Sequence, residues 1–173
     1  SRHDYLTGAL NRRSMDSALE KEIERAKRYQ TKLSVLLVDV DDFKKINDNH
    51  GHLVGDKVLR TTAQIIHRNI RKVDSLARYG GDEFAVIMPC TGSEEADLVR
   101  QRILSEVRGY KKDGVPPFSV SIGLHTSGPD GILDIFNQTD IALYREKERK
   151  NTIEVDEHIL EYVEDEEAEG EEE

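Results

Sequence analysis

The apolar pattern of this sequence predicts an α/β (α+β) chain: a mixed central sheet with helices over one or both faces. Three observations carry that prediction. KLSVLLVDV, residues 32–40, is a nearly continuous apolar run whose length and β-branching suit a buried strand. SLARYGGDEFAVIMP, residues 75–89, reads as strand, tight turn at Gly80-Gly81, strand, so a hairpin is interleaved into the chain. Around both lie stretches with apolar residues at helical spacing.

Taken in order, Asn11 to Tyr29 reads as a helix with its stripe on Met15, Ala18, Leu19, Ile23 and Ala26. The first strand follows and ends at Asp39, and DDFKKINDNHGH leaves the sheet as a short helix and turn. Residues 55–70 form a second amphipathic helix on Val58, Leu59, Thr62, Ile65, Ile66 and Ile70. After the hairpin comes a helix from Ser93 to Tyr110 on Ala96, Val99, Ile103 and Val107. FSVSIGLHT, residues 118–126, is a strand after the Pro116-Pro117 break. A long helix covers residues 131–149, and TIEV, residues 152–155, reads as a final strand.

The length of 173 residues suits one domain with a real core, and 36% hydrophobic with 35% charged residues reads as soluble and globular. No apolar run approaches the roughly 20 residues of a membrane span. The chain opens SRHDYLTG, without Met or an apolar leader, which reads as a cut from a longer protein. Cys90 is the single cysteine; it excludes an internal disulfide, favours a reducing cytoplasm and is expected as a small buried residue at a strand end. The net charge of −10 belongs to one segment, because residues 154–173 hold twelve carboxylates and no Lys or Arg. Without them 23 acidic side chains face 25 basic ones, so the folded part is near neutral. The division is therefore one folded domain over residues 1–155 and an acidic tail over 156–173, expected to be solvated and disordered. With no broad basic face, duplex nucleic acid is not an expected partner.

Two acidic clusters stand out: Asp39-Val40-Asp41-Asp42 at the end of the first strand, and Asp82-Glu83 after the glycines. Neighbouring strands would bring both to one edge of the sheet. Glycine beside paired carboxylates combines backbone freedom with like-charge repulsion, and a metal carrying phosphate resolves the conflict. Mg²⁺ binds through one or two carboxylates plus substrate phosphates, and two such ions can activate a hydroxyl and stabilise a leaving phosphate. Without Cβ atoms the turn lets backbone approach a triphosphate. Other readings fail on spacing. An EF-hand counted from Asp39 needs Gly and Glu where Lys44 and His50 stand, and GHLVGDK has no Gly-Lys-Ser/Thr of a P-loop. His50 and His52 lack a thiolate or an HExxH partner for zinc, which leaves them structural or substrate-contact roles.

At this point the motifs resemble those of GGDEF domains, the diguanylate cyclases. RYGGDEF is similar to the family signature, DYLTGALNRR at residues 4–13 to its opening DxLTGLxNRR, and VDVDDFKKINDNHGHLVGDKVL at 38–59 to its VDxDxFKxxND…GHxxGDxxL block. ALYREKERKN at 142–151 resembles the closing ALYxAKxxGRN with a shortened end, so the resemblance runs over about residues 3–155. It implies a palm-like, largely antiparallel sheet flanked by helices, as in adenylyl cyclases and polymerases. It also implies condensation of two GTP to cyclic di-GMP with release of pyrophosphate, each domain holding one GTP and two domains facing each other as a homodimer.

The resemblance further implies residue roles. Asp39 and Glu83, with the Val40 carbonyl, would bind Mg²⁺ or Mn²⁺, two ions per active site, and Asp82 would be a further ligand or the base for the 3′-hydroxyl. Lys44 would offset phosphate charge, with Phe43 and the backbone of Gly80 and Gly81 near the phosphates. Asn47 and Asp56 would read guanine, because their amide and carboxylate suit its Watson–Crick edge. His52 would touch substrate, Lys147 the terminal phosphates, and Lys150 is the best match to a second basic contact there. RKVD at residues 71–74 matches the family's product-inhibition RxxD, with Arg71 and Asp74 at the required spacing and Arg102 as a secondary contact. The implied alternative is an inactive domain that binds GTP or cyclic di-GMP as a sensor. A sensor or dimerisation domain is expected ahead of the DxLT segment, with the whole in the bacterial cytoplasm and no membrane contact by this fragment.

Overall fold

The computed structural model describes the backbone of residues 1–112 and 114–170 and the side chains of 1–112 and 114–161. Its elements are α1 (Arg12–Tyr29), β1 (Leu33–Val40), α2 (Phe43–His50), α3 (His52–Asn69), β2 (Ser75–Arg78), β3 (Glu83–Pro89), α4 (Ser93–Gly109), β4 (Val120–Ser127) and α5 (Ile135–Gly170), the last preceded by a 3-10 turn over Ile132–Asp134. The four strands form one sheet in the order β2-β3-β1-β4, and every pair is antiparallel. The expected mixed α/β class, palm-like and largely antiparallel, is the observed one.

β1 lies at the centre, and all eight of its residues are buried. Its side chains alternate between two cores, as a strand covered on both faces requires. Leu36, Val38 and Val40 pack with Val58, Leu59, Ile66 and Ile103 of α3 and α4, and Leu33, Val35 and Leu37 pack with Met15, Ala26, Ile135 and Leu143 of α1 and α5. Asp39 therefore points to the α1/α5 face, opposite the α3/α4 core. Asn11 starts α1 by accepting from Ser14 N at 3.0 Å, and Gln30 ends it in the left-handed region at φ 54°. α5 lies against β4, where a Cβ on Gly123 would meet the backbone of Leu143; glycine sets how closely this helix approaches the sheet.

Two expectations are corrected, for TIEV and for Cys90. TIEV, read as a strand, is helical within α5. The REKERK run ahead of it favours helix and contains no Gly or Pro, so extending α5 fixes one residue per hydrogen bond, whereas a fifth strand would need a new edge pairing. Helix α5 extends to Gly170 with residues 151–161 exposed, and residues 171–173 of the acidic segment lie outside the described residues. Cys90, expected to be buried, is exposed at the end of β3 with φ 51°. No helix among the described residues is long and apolar enough to cross a membrane.

Candidate active site

β1 and β3 run antiparallel in a register that sets Asp39 opposite Glu83, and Ser121 of β4 lies opposite Asp39 on the other side. The loop between β2 and β3 lays Asp82 over the same strand end, its carbonyl accepting from Val40 N at 3.1 Å. The two acidic clusters separated in sequence thus meet at one sheet edge. They border an open cleft of about 640 Å³ whose lining includes Asp39, Val40, Phe43, Lys44, Asp82, Lys147 and Lys150.

Asp39 is 5% exposed. Its Oδ2 accepts from Lys147 Nζ of α5, while its Oδ1 is buried with no hydrogen-bond partner. Burial pushes its carboxyl up, the Lys147 hydrogen bond pulls it down, and the nearby Asp82 charge adds to the rise, for a value of about 6. Glu83 is raised by burial and then by Asp82, with Lys147 opposing. Burial alone would lower Lys147, but its bond to Asp39 and the surrounding carboxylates hold it above its ordinary value.

The glycines of the turn do not use left-handed backbone, since neither has positive φ. Gly80 instead leaves room for its neighbour, because a Cβ there would collide with Oε2 of Glu83. This corrects the tight-turn reading in part: four residues, Tyr79 to Asp82, join β2 and β3, and the missing Cβ makes space for a carboxylate.

These residues fit a divalent cation. The orphaned Asp39 oxygen lacks a partner that buried polar atoms ordinarily have, and burial together with the neighbouring Asp82 charge raises the proton affinity of both Asp39 and Glu83. Among the described residues no three His, Cys, Asp or Glu side chains gather as a complete ligand cluster. That donor set suits Mg²⁺, which takes few protein oxygens and completes its shell with water and phosphate.

At the α2–α3 corner, Asn47 Oδ1 is also buried without a partner, and a Cβ on Gly55 would collide with it. Phe43 closes the same corner, its ring 3.3 Å from where that Cβ would stand. Asp56 is half-buried on the next residue of α3, while His52 is exposed at the start of that helix. Lys44 is exposed at the cleft mouth. Lys150 is not free: its Nζ donates to Asp41 Oδ2 at 2.9 Å and to the Val120 carbonyl at 2.8 Å. Away from this cleft, Arg71, Asp74 and Arg102 line one smaller cavity of about 220 Å³. Arg71 Nη2 meets Asp74 Oδ1 at 3.0 Å, and the Asp74 side chain is only 2% exposed.

Sequence reasoning missed two parts of this arrangement. Asp41 accepts from Ser119 Oγ at 2.7 Å, from Ser121 Oγ at 2.6 Å and from Lys150, and these donors lower its carboxyl against the opposing effect of burial. The alternation Ser119-Val120-Ser121 at the start of a buried strand was the available signal. Arg78 donates to the Gly81 carbonyl at 2.7 Å and to Asp4 Oδ1 at 3.2 Å, which ties the DYLTG segment to the turn between β2 and β3. Its place two residues before Gly80 was a hint, but its partner 74 residues away was not legible.

An antiparallel palm-like sheet with Asp39, Asp82 and Glu83 at one edge, beside a cleft lined by Lys44 and Lys147, is an arrangement suited to a phosphate ligand and a divalent cation. The family described as "Diguanylate cyclase, GGDEF domain" matches residues 1–152, and the chain belongs to it. It is 37% identical over 166 residues to diguanylate cyclase DosC of Escherichia coli, covering 90% of this chain and 36% of that protein. It is 44% identical over 120 residues to the response regulator PleD of Caulobacter vibrioides, covering 69% of this chain and 25% of that one. The chain thus spans about a third or less of these curated relatives. The GGDEF domain of DgcB from Caulobacter crescentus, solved in complex with c-di-GMP, superposes with a TM-score of 0.80 at 29% identity over 86% of this chain and 89% of that one. Diguanylate cyclase SiaD of Pseudomonas aeruginosa, solved with its activator SiaC, gives a TM-score of 0.80 at 32% identity over 86% and 59%.

Proposed function

We propose that this domain is a diguanylate cyclase, joining two GTP into cyclic di-GMP and releasing two pyrophosphates, and that it acts as a homodimer. The observation that carries the reading is the buried, partnerless Asp39 oxygen, set beside Asp82 and Glu83 at the cleft. Asp39, Glu83 and the Val40 carbonyl would hold Mg²⁺, or Mn²⁺. The ions supply positive charge that favours ionisation of a 3′-hydroxyl and offsets charge on the phosphates. Asp82 takes the proton as that oxygen attacks the α-phosphate of the GTP on the facing domain, and the bond to pyrophosphate breaks. Lys44 and Lys147 lie where they can neutralise the pyrophosphate, an electrostatic role fixed before the reaction begins.

Asn47 and Asp56 hold the guanine, with Phe43 beside them. The orphaned Asn47 oxygen supports this, because a purine N–H is a partner it otherwise lacks. His52, exposed, is kept as an outer substrate contact. Lys150 is assigned away from the phosphates, since Asp41 already holds it. Arg71, Asp74 and Arg102 form the inhibitory product site in this reading, supported by the cavity they share.

The test is incubation of the nucleotide-stripped protein with GTP and Mg²⁺ beside Glu83→Gln, with products read by mass. Cyclic di-GMP from the wild type and none from the variant is the expected result. No product at any protein concentration, with dimerisation enforced, would overturn the reading in favour of a nucleotide-binding sensor.

A further inference from the structure

The inhibitory arginine is held by more than its Asp74 partner. Arg71 Nη2 donates to the Pro89 carbonyl at 2.9 Å and to Thr91 Oγ1 at 2.7 Å, and the Thr91 hydroxyl in turn donates to the Pro89 carbonyl at 2.8 Å. Together with Asp74 Oδ1 this gives three acceptors for the two hydrogens of one nitrogen. Nε is directed at Asp74 Oδ2, 3.3 Å away. Only Nη1 lacks a partner among the described residues.

The bend that presents these groups is itself fixed. Cys90 between them has φ 51°, a left-handed backbone uncommon for a non-glycine residue, which lets Pro89 and Thr91 face the same guanidinium. Thr91 is 3% exposed, and its carbonyl accepts from Ser34 Oγ at 2.8 Å. Ser34 has spent its one hydrogen there, so the Thr126 hydroxyl, 2.6 Å away, donates to it. A buried polar chain thus runs from β4 through β1 to the exit of β3 and ends on Arg71.

We propose that Thr91 is a positioning residue of the inhibitory site, whose hydroxyl fixes the Arg71 guanidinium so that its Nη1 edge faces a guanine or phosphate of the bound dinucleotide. This rests on the reading of Arg71 and Asp74 as the product site. The physical reason is preorganisation. An exposed arginine loses rotamer freedom when it binds a ligand, and a guanidinium already clamped on one side loses less. Asp74 holds the guanidinium from its own loop, and the Thr91 hydroxyl, beside the Pro89 carbonyl, closes rotation toward solvent from the opposite element.

Calorimetric titration with cyclic di-GMP of wild type, Thr91→Val, Thr91→Ser and Arg71→Ala tests the proposal. Thr91→Val is expected to bind roughly three- to tenfold more weakly, the size of the cost of ordering one rotamer-rich side chain on binding. Thr91→Ser restores wild-type affinity, which a purely structural role of the side chain would not produce, and initial GTP turnover is unchanged in both. Wild-type affinity in Thr91→Val with binding lost in Arg71→Ala overturns the proposal and leaves the site reading standing. Wild-type affinity in Arg71→Ala overturns the site reading and the proposal with it. Weak binding by Thr91→Ser also overturns it, because the hydroxyl is then not the determinant. Should Thr91→Val not melt cooperatively, Thr91→Ala replaces it; failure of both makes Thr91 a folding requirement and counts against the proposal.

Discussion

Asp39 carries two opposing environments on one carboxylate. One oxygen is paired with Lys147, and the other is buried alone beside Asp82. Burial dominates, so the folded protein holds the Asp39 proton more tightly than the unfolded chain, at about 6 against an ordinary 3.8. A group raised on folding stabilises the protein fully below its unfolded value, and that contribution is lost as pH rises through the folded value. Without divalent cation, Asp39→Asn, which imitates the neutral form, is therefore expected to melt above wild type at about pH 8 and together with it below about pH 4. Melting curves in chelator across that range check this, and a variant that melts lower at high pH would show that the Lys147 pair outweighs burial. The direction also explains why this position could be read from the sequence as a candidate metal ligand. A carboxylate at the buried end of an apolar strand is destabilising unless something positive binds it, and DVDD after SVLLV displays that conflict in sequence. The Asn47 oxygen is harder to read, because its burial depends on Gly55 eight residues later.

Among the elements, α5 separates what the pattern revealed from what it could not. β1, the β2–β3 hairpin and helices α1, α3 and α4 follow from apolar periodicity, and each lies within a few residues of its expected span. The end of α5 does not, since Ile153 and Val155 look β-prone locally while the helix before them propagates through. The roles of its two lysines were equally hidden. In sequence Lys147 and Lys150 are both candidates for phosphate, the first by a direct motif match and the second as the best match across a shortened end. In the fold the first sits on Asp39 at the cleft, and the second joins Asp41 to β4 through the Val120 carbonyl. The two methionine substitutions should therefore separate. Lys147→Met is expected to raise the KM for GTP roughly tenfold or more, as the loss of a charged contact implies. Lys150→Met should leave KM near wild type and lower stability by about 1–2 kcal/mol, the usual size of such a hydrogen bond. Denaturant melts beside steady-state kinetics decide this, and the reverse pattern would return Lys150 to the phosphates.

For the molecule as a whole, the cleft is open, with its carboxylates at one edge of the sheet and Lys44 and Lys147 beside them, so in the proposed reading one domain would present one GTP outward. Closing a ring from two GTP needs two attacks, and the proposed geometry supplies them only when a second domain brings its own nucleotide face to face. Turnover per domain should then rise with protein concentration and level off once the dimer is populated. The N-terminal segment is well placed to govern this. Leu10 is hydrogen-bonded to β2 through Leu76 at 2.9 Å and Arg78 at 2.8 Å, and Arg78 links Asp4 to the Gly81 carbonyl. A dimerising coiled coil fused ahead of Ser1 would therefore be attached firmly to the catalytic turn, and its effective concentration replaces free association. The fusion is expected to hold its rate constant on dilution while the unfused chain loses most of its activity over the same range. Rates measured beside sedimentation would decide it: a monomeric, unfused chain whose rate per domain stays constant on dilution would mean that both attacks occur without a partner, and the facing-domain mechanism would fall.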